Sequence, residues 1–275
     1  MAANQLVKKK IGSFTLRLTQ QFIDSPLANA LADGLSSLAK TYTLNKVPAS
    51  KSADVYKFSC ESGKFYFKQY HYRSLWDIIK HAFRPSRAAR TMKAAAMLEA
   101  NGFAAPEIVV MGCRRKGIFR LENFLITREV ENSLPLFAFF NQQYGRPNSR
   151  PAEKNRFINA LGRLIGRLHA KNISHGDLRL GNVLGRLTLN QQPGFEFFFL
   201  DNERTVQYTR LPDRLRLKNL VQCNMHQTRA LTRTDRLRFF NAYLAENPAL
   251  APAKKVWLKK VNSKTLRRLA NRLPT

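Results

Sequence analysis

Four residues carry the chemistry that this sequence offers. Asp177 and Asn182 stand five residues apart in the segment His175-Gly176-Asp177-Leu178-Arg179-Leu180-Gly181-Asn182. Asp201 follows nineteen residues after Asn182, at the end of the apolar run Phe197-Phe198-Phe199-Leu200. Upstream, Lys68 closes the alternating run Lys64-Phe65-Tyr66-Phe67-Lys68. A carboxylate that orients a hydroxyl and takes its proton, an asparagine and a second carboxylate that hold Mg²⁺, and a strand lysine that meets the α/β-phosphates are the parts of phosphoryl transfer. A carboxylate such as Asp201 at the end of a buried strand is costly unless a cation pairs with it. Taken singly each residue has an ordinary explanation: Asp177 a loop cap, Asn182 a turn residue, Asp201 the cap of a following helix, Lys68 an exposed base. His175 reads as a structural hydrogen-bonder, because the aspartate two residues on occupies the base position. Their order and spacing together favour the chemical reading.

The elements that must position them come next. Residues 1–40 have a basic start and one expected short helix in SPLANALADGLSSLAK, from Ser25 or Pro26. From residue 41 the texture is that of strands: TYTLNKV, DVYKFSC and KFYFKQYHY, the last two joined by a turn at Glu61-Ser62-Gly63. A helix is expected from Ser86 to the Asn101-Gly102 stop, followed by strands EIVVMGC, GIFRLEN and FLITREV. After the polar stretch NQQYGRPNSRP, a long helix repeats Phe157, Leu161, Leu164, Ile165 and Leu168 at three- and four-residue steps. Its Gly162-x-x-x-Gly166 suits close helix packing. Two short apolar pieces, NVLGRL and FEFFFLD, are separated by a turn at Gln191 to Gly194, and three helical stretches end the chain. The expected fold is α+β and bilobal: an antiparallel-sheet lobe with one helix, then a larger, mainly helical lobe. Its divisions are an N-terminal extension over 1–40, a nucleotide-binding lobe over 41–130, a hinge and linker over 131–150, and a catalytic lobe over 151–275.

Composition bounds the partners. The 275 residues carry 47 basic and 18 acidic side chains, a formal charge of +29, and Arg204 to Thr275 alone hold 17 bases against 3 acids. Such an excess implies an anionic partner: nucleic acid, a membrane surface or a phosphorylated substrate. Cys60, Cys113 and Cys223 lie far apart with no CxxC, which argues against a disulfide framework or a cysteine zinc site. No apolar run reaches a membrane span and the start has no secretory pattern, so a soluble protein of a reducing compartment is expected.

The segment His175 to Asn182 matches H-x-D-x-x-x-x-N, the catalytic-loop spacing of the kinase fold. With RPSRAARTMKAAAMLEANGFAAPE, FFFLDNERT, KNLVQCN and TRTDRLRFFNAYL, the chain resembles the lipopolysaccharide core kinase (Kdo/WaaP) family over roughly residues 41–270. The resemblance implies ATP and Mg²⁺ as cofactors, Lys68 as the phosphate lysine, Asp177 as base, and Asn182 and Asp201 as metal ligands. It implies that backbone groups of Glu129, Val130 and Glu131 meet adenine. The phosphate-covering loop VPASKSAD has no glycine; Ser50 and Ser52, with Ala49 and Ala53, allow close approach. Thr91 stands where a helix glutamate normally pairs with the strand lysine, and Glu99 replaces it only if the helix is rotated or shifted. Glu203 either adds a carboxylate or faces solvent.

The implied acceptor is a Kdo or heptose hydroxyl of the anionic lipid A-core. Peripheral attachment to the inner face of the inner membrane follows, through Arg229 to Tyr243 and Lys254 to Arg272. Only about ten residues follow Asp201 before the next helix, too few for a peptide platform, and a polycationic aminoglycoside would be repelled. Nucleic acid is not expected as a partner, and no protein partner is inferred. Two alternatives stay open: an inactive kinase-fold module binding nucleic acid or anionic membrane, and a soluble small-molecule kinase of aminoglycoside or choline type.

Overall fold

The computed structural model describes residues 6–49, 52–72, 84–117, 119–145, 150–188, 194–227 and 230–271. It divides into two compact units, Met1–Ala96 with Pro106–Glu131, and Met97–Ala105 with Asn132–Thr275. Among the described residues no helix is long and apolar enough to cross a membrane.

The first unit is built on a seven-stranded antiparallel sheet. Its strands are β1 (Val7–Ile11), β2 (Phe14–Leu18), β3 (Asn45–Val47), β4 (Ala53–Cys60), β5 (Gly63–Tyr70), β6 (Ile108–Lys116) and β7 (Phe119–Arg128), in the order β1-β2-β6-β7-β5-β4-β3. The period-two alternation of β5 decides which side chain meets what. Phe65 and Phe67 join Phe14, Leu16, Phe58 and Phe124 in a core on one face. Helices α1 (Pro26–Asn29) and α2 (Leu35–Thr41) and the turn between them cover that core through Leu27, Leu38 and Leu31 respectively. Residues 1–40 therefore contribute two strands and half the packing of this sheet rather than an appendage.

Lys68 and Tyr70 belong to the alternate set of β5. Tyr70 packs with Ala53, Met111 and Leu125 and with Ala88, Ala89 and Met92 of helix α3 (Arg87–Ala100). Helix α3 starts where the sequence places it, with the Ala89 N–H donating to Ser86 Oγ at 3.0 Å, and it closes at Gly102, φ +79°.

Three local expectations are corrected. The short helix expected from Ser25 or Pro26 starts there, with Ser25 as its cap, but ends at Asn29, and a second helix begins after Gly34, whose φ of +66° and contact with the Phe14 ring a side chain would obstruct. GIFRLEN and FLITREV are one strand, β7. Asn123, where the two expected strands meet, is buried in mid-strand, and its Oδ1 accepts the Ala88 N–H at 3.4 Å at the start of α3. The run Leu136–Tyr144 within the expected linker is a helix, α4, because Leu136, Phe139, Phe140 and Tyr144 fall on one buried face.

The second unit contains β8 (Leu134–Pro135), α4, α5 (Pro151–Ala170), β9 (Ile173–Ser174), β10 (Val183–Thr188), β11 (Gly194–Phe199), β12 (Val206–Gln207), α6 (Asp213–Asn224), α7 (Arg233–Ala245) and α8 (Lys254–Ala270). Strands β11-β10-β8 form one small sheet and β12-β9 another. The expected stripe of α5 is its buried face, and the two glycines do what their spacing suggests. A Cβ at Gly162 would lie 2.4 Å from the Phe239 carbonyl oxygen, and one at Gly166 2.7 Å from Glu246 Cβ, so α7 packs directly on the α5 backbone. The expected turn over Gln191 to Gly194 lies outside the described residues, except Gly194.

Candidate functional site

The segment from His175 to Asn182 is a loop pinned on every side. It leaves β9 and ends in a single 3₁₀ turn, Leu180–Asn182. His175 is fully buried, and both ring nitrogens are committed: Nδ1 accepts the Asp177 N–H at 3.1 Å and Nε2 donates to the Leu200 carbonyl at 2.9 Å. This pattern defines the neutral Nε2–H tautomer, and burial holds its pKa below the ordinary histidine value. His175 is a structural hydrogen-bonder, not a base.

Asp177, Asn182 and Asp201 come together through these bonds. Asn182 Nδ2 donates to the Asp177 carbonyl at 2.8 Å and to its carboxylate Oδ2 at 3.4 Å. The Leu200 N–H donates to the Asn182 carbonyl at 2.8 Å. Leu200 is thus tied to the loop from both sides, and the next residue is Asp201. Asp201 adopts the left-handed conformation, φ +55°, which a non-glycine residue holds only when its surroundings fix it. Asn202 supplies part of that constraint, its Nδ2 donating to the Phe199 carbonyl at 2.7 Å. Glu203 does not face solvent: it is buried in the turn after Asp201, with Arg204 Nε 3.6 Å from its Oε1.

Helix α6 holds this loop in place, a function that no sequence motif announced. Gln222 Nε2 donates to Asp177 Oδ1 at 2.7 Å, and Gln222 Oε1 accepts the Leu178 N–H at 3.2 Å. Asn219 Nδ2 donates to the His175 carbonyl at 2.7 Å, while its Oδ1 accepts the His175 N–H at 3.1 Å. Lys218 Nζ donates to the Gly176 carbonyl at 2.8 Å. Arg179 Nε lies 3.0 Å from Asp177 Oδ1. The usable signal was KNLVQCN itself, where Lys218, Asn219 and Gln222 put polar side chains on one inward helix face.

The first unit holds the remaining candidates. Lys68 pairs across β5 with Val55 and Leu125, and its Nζ lies 5.2 Å from the Tyr70 ring centroid. Arg87 lies over the same ring at 4.9 Å. Thr91 takes no carboxylate's part. Its hydroxyl donates to the Arg87 carbonyl at 3.0 Å and sits 3.2 Å from the Tyr70 hydroxyl, which therefore donates to it. Glu99 is exposed near the end of α3. Ser52 is buried, its carbonyl accepting from Arg87 Nη1 at 2.8 Å and its hydroxyl from Nη2 at 3.3 Å. Ser50 lies outside the described residues. The Glu129 carboxylate accepts from Lys57 Nζ at 2.6 Å, and its N–H donates to the Lys64 carbonyl at 2.8 Å. Val130 and Glu131 follow it at the end of this unit.

The donor set suits magnesium. With the amide nitrogen of Asn182 committed to Asp177, its side-chain oxygen is the end that can ligate a cation; Asp201 follows Leu200, whose N–H donates to the Asn182 carbonyl. Mg²⁺ takes oxygen ligands and keeps several waters and substrate phosphates, so one or two protein ligands suffice. No cluster of three or more His, Cys, Asp or Glu is present among the described residues, so a metal held wholly by such side chains is not indicated there.

An antiparallel-sheet unit and a mainly helical unit that carries an aspartate-asparagine loop are the two parts of a protein-kinase-like fold. Residues 49–243 match the model of the lipopolysaccharide kinase (Kdo/WaaP) family, and the chain belongs to that family. It is 27% identical over 188 residues to the lipopolysaccharide core heptose(I) kinase WaaP of Pseudomonas aeruginosa, covering 66% of this chain and 70% of that one. The solved structure of WaaP in complex with acyl carrier protein superposes with a TM-score of 0.65 at 18% identity, covering 92% of this chain and 98% of that one. The chain is thus a member of a lipopolysaccharide kinase family with a protein-kinase-like fold. That neighbour is bound to a protein, so the expectation of no protein partner does not carry over.

Proposed function

We propose that this chain transfers the γ-phosphoryl group of ATP, with Mg²⁺, to a Kdo or heptose hydroxyl of the lipopolysaccharide inner core. The observation that carries the reading is the Asp177 carboxylate, oriented by Gln222, Arg179 and Asn182 in the loop that also presents Asn182 itself. Asp177 accepts the proton of the acceptor hydroxyl as its oxygen bonds to the γ-phosphorus and the bond to ADP breaks. Asn182 and Asp201 would hold Mg²⁺, which when bound would supply positive charge to offset that of the phosphate oxygens. Lys68 binds the α/β-phosphates, and backbone groups of Glu129 to Glu131 receive the adenine. Ser50 and Ser52 belong to the loop assigned to the phosphates; in Ser52 the Arg87 bonds fix the loop's base.

The acceptor reaches the enzyme at the inner face of the inner membrane. Arg236 and Arg238 of α7 are engaged internally, with Asn224 and Asp235. Arg229 and Arg272 lie outside the described residues. The membrane-facing role is carried by the first turns of α8, where Lys255, Val256, Lys259 and Lys260 are all exposed, with Arg233 and Leu237 of α7, also exposed. Each base near an anionic surface contributes about 1 kcal/mol.

The test is transfer of phosphate from ATP to purified lipid A-core, read by mass spectrometry of the released oligosaccharide. One added phosphate, dependent on Mg²⁺ and lost in Asp177→Ala with nucleotide affinity retained, is the expected result. Unchanged transfer by Asp177→Ala overturns the assignment.

A further inference from the structure

Away from the Asp177 loop but joined to it by one side chain, α6 and α8 form the walls of an open basic pocket of about 250 Å³, in which Arg214, Lys264, Arg267 and Arg268 are exposed and Lys218 is half-buried. Arg214 and Lys218 of α6 and Lys264, Arg267 and Arg268 of α8 line it, with Val221 and Asn271 completing the wall. The spacing makes this a feature of the two helices rather than a chance meeting. Positions 214, 218 and 221 form one stripe, and 264, 267, 268 and 271 another. The helices are locked together beside it by Asn224 Nδ2 donating to the buried Thr265 Oγ1 at 3.0 Å.

Among the described residues, no acidic side chain lines the pocket. Five cations gathered on one concavity repel one another, and that cost is offset when an anion sits among them. A carboxylate is satisfied by a single arginine fork; three arginines and two lysines match the greater charge and the three free oxygens of a phosphate monoester. Lys218 connects this pocket to the chemistry, since the same ammonium donates to the carbonyl of Gly176, the residue before Asp177. One turn further along α6, Gln222 holds the Asp177 carboxylate.

We propose that the α6–α8 pocket binds a phosphate group of the acceptor glycolipid and so sets which sugar hydroxyl is presented to Asp177. The inference rests on the kinase reading above and names a recognition site for that reading's substrate. The pocket lies on the last turns of α8, distinct from the exposed Lys255, Lys259 and Lys260 assigned to the membrane surface.

The experiment compares equilibrium binding of lipid A-core and of the same glycolipid treated with phosphatase, for wild type, Arg267→Gln/Arg268→Gln and, separately, Lys264→Gln. Wild type is expected to prefer the phosphorylated form by about tenfold or more, the scale of one or two charge-assisted hydrogen bonds. The double variant is expected to bind both forms alike, with Lys264→Gln intermediate. In turnover, KM for the phosphorylated acceptor rises by the same factor. A preference retained in the variants overturns the proposal. So does an equal loss of binding to phosphatidylglycerol vesicles that lack the core, which makes the cluster a general membrane footprint. If wild type transfers phosphate to neither glycolipid the kinase reading fails, and the binding comparison, which needs no turnover, still decides the pocket.

Discussion

Gln222 on helix α6 donates from Nε2 to the Asp177 Oδ1 atom at 2.7 Å, while its Oε1 accepts the N–H of Leu178, the next residue of the loop. One amide therefore fixes both the side chain of the proposed base and the backbone of the residue after it. Gln222→Leu removes both bonds and leaves the Leu178 N–H buried without this partner. Misplacing a reacting group by an ångström costs on the order of 100-fold in rate. Turnover in the variant is expected to slow by roughly 10- to 100-fold on that scale, with KM for ATP unchanged, since the nucleotide ligands are elsewhere. Steady-state kinetics check it, and turnover equal to wild type removes Gln222 from the positioning apparatus.

Tyr70 links the strand lysine to helix α3. Its ring lies under both Lys68 and Arg87, and its hydroxyl bonds Thr91. A cation over an aromatic face is worth about 0.5–2 kcal/mol. Tyr70→Leu should raise KM for ATP by about 3- to 30-fold on that scale. Tyr70→Phe keeps the ring and should stay near wild type in KM. If the two variants are equally impaired, the hydroxyl bond to Thr91 and not the ring is what matters.

Gly162 is where α7 meets the α5 backbone, and an added methyl would fall 2.4 Å from the Phe239 carbonyl oxygen and 2.8 Å from Ala242 Cβ. Neither neighbour can retreat cheaply, because one is helix backbone and the other is packed against α5. Gly162→Ala should destabilise by about 1–3 kcal/mol, the usual cost of overpacking, despite alanine's better helix propensity. Thermal melts check it. A raised Tm would show that the two helices separate freely.

These contacts also mark what could be read from sequence. The loop from His175 to Asn182, Asp201 after its apolar strand, and the Phe157-to-Leu168 stripe were legible because each depends on local spacing. The stop at Asn101-Gly102 and the glycine contact were legible for the same reason. Hidden were relationships that exist only after folding. Asn123 reads as the end of a strand until α3 is placed to donate to it. Thr91 resembles a lost glutamate until Tyr70 is seen beside it. KNLVQCN is an unremarkable polar helix until Asn219 and Gln222 meet a loop more than forty residues earlier. The Leu136–Tyr144 helix was obscured because an apolar run this short fits strand or helix equally well.

The buried His169 gives the protein a defined acid sensitivity. Its Nε2 meets Asn219 Oδ1 at 3.2 Å, an atom that can only accept, so Nδ1 accepts from the Tyr243 hydroxyl at 3.0 Å and the ring is neutral. Burial, and then the nearby Arg216 charge, push its pKa down to about 3. A histidine whose folded pKa lies below its unfolded value of about 6.5 binds its proton only on unfolding. Its neutral form therefore contributes fully above that value, and stability is lost as pH falls from there towards 3. Each pH unit in that window costs about 1.4 kcal/mol per such group. His175, lowered by burial as well, adds in the same direction. Chemical denaturation at pH 7 and pH 5 should thus show a loss of at least about 2 kcal/mol. His169→Gln, which keeps a donor and an acceptor but cannot titrate, should show a shallower dependence. Identical slopes for the two proteins would mean that His169 is solvated and ordinary, contrary to its packing between Tyr243 and Asn219.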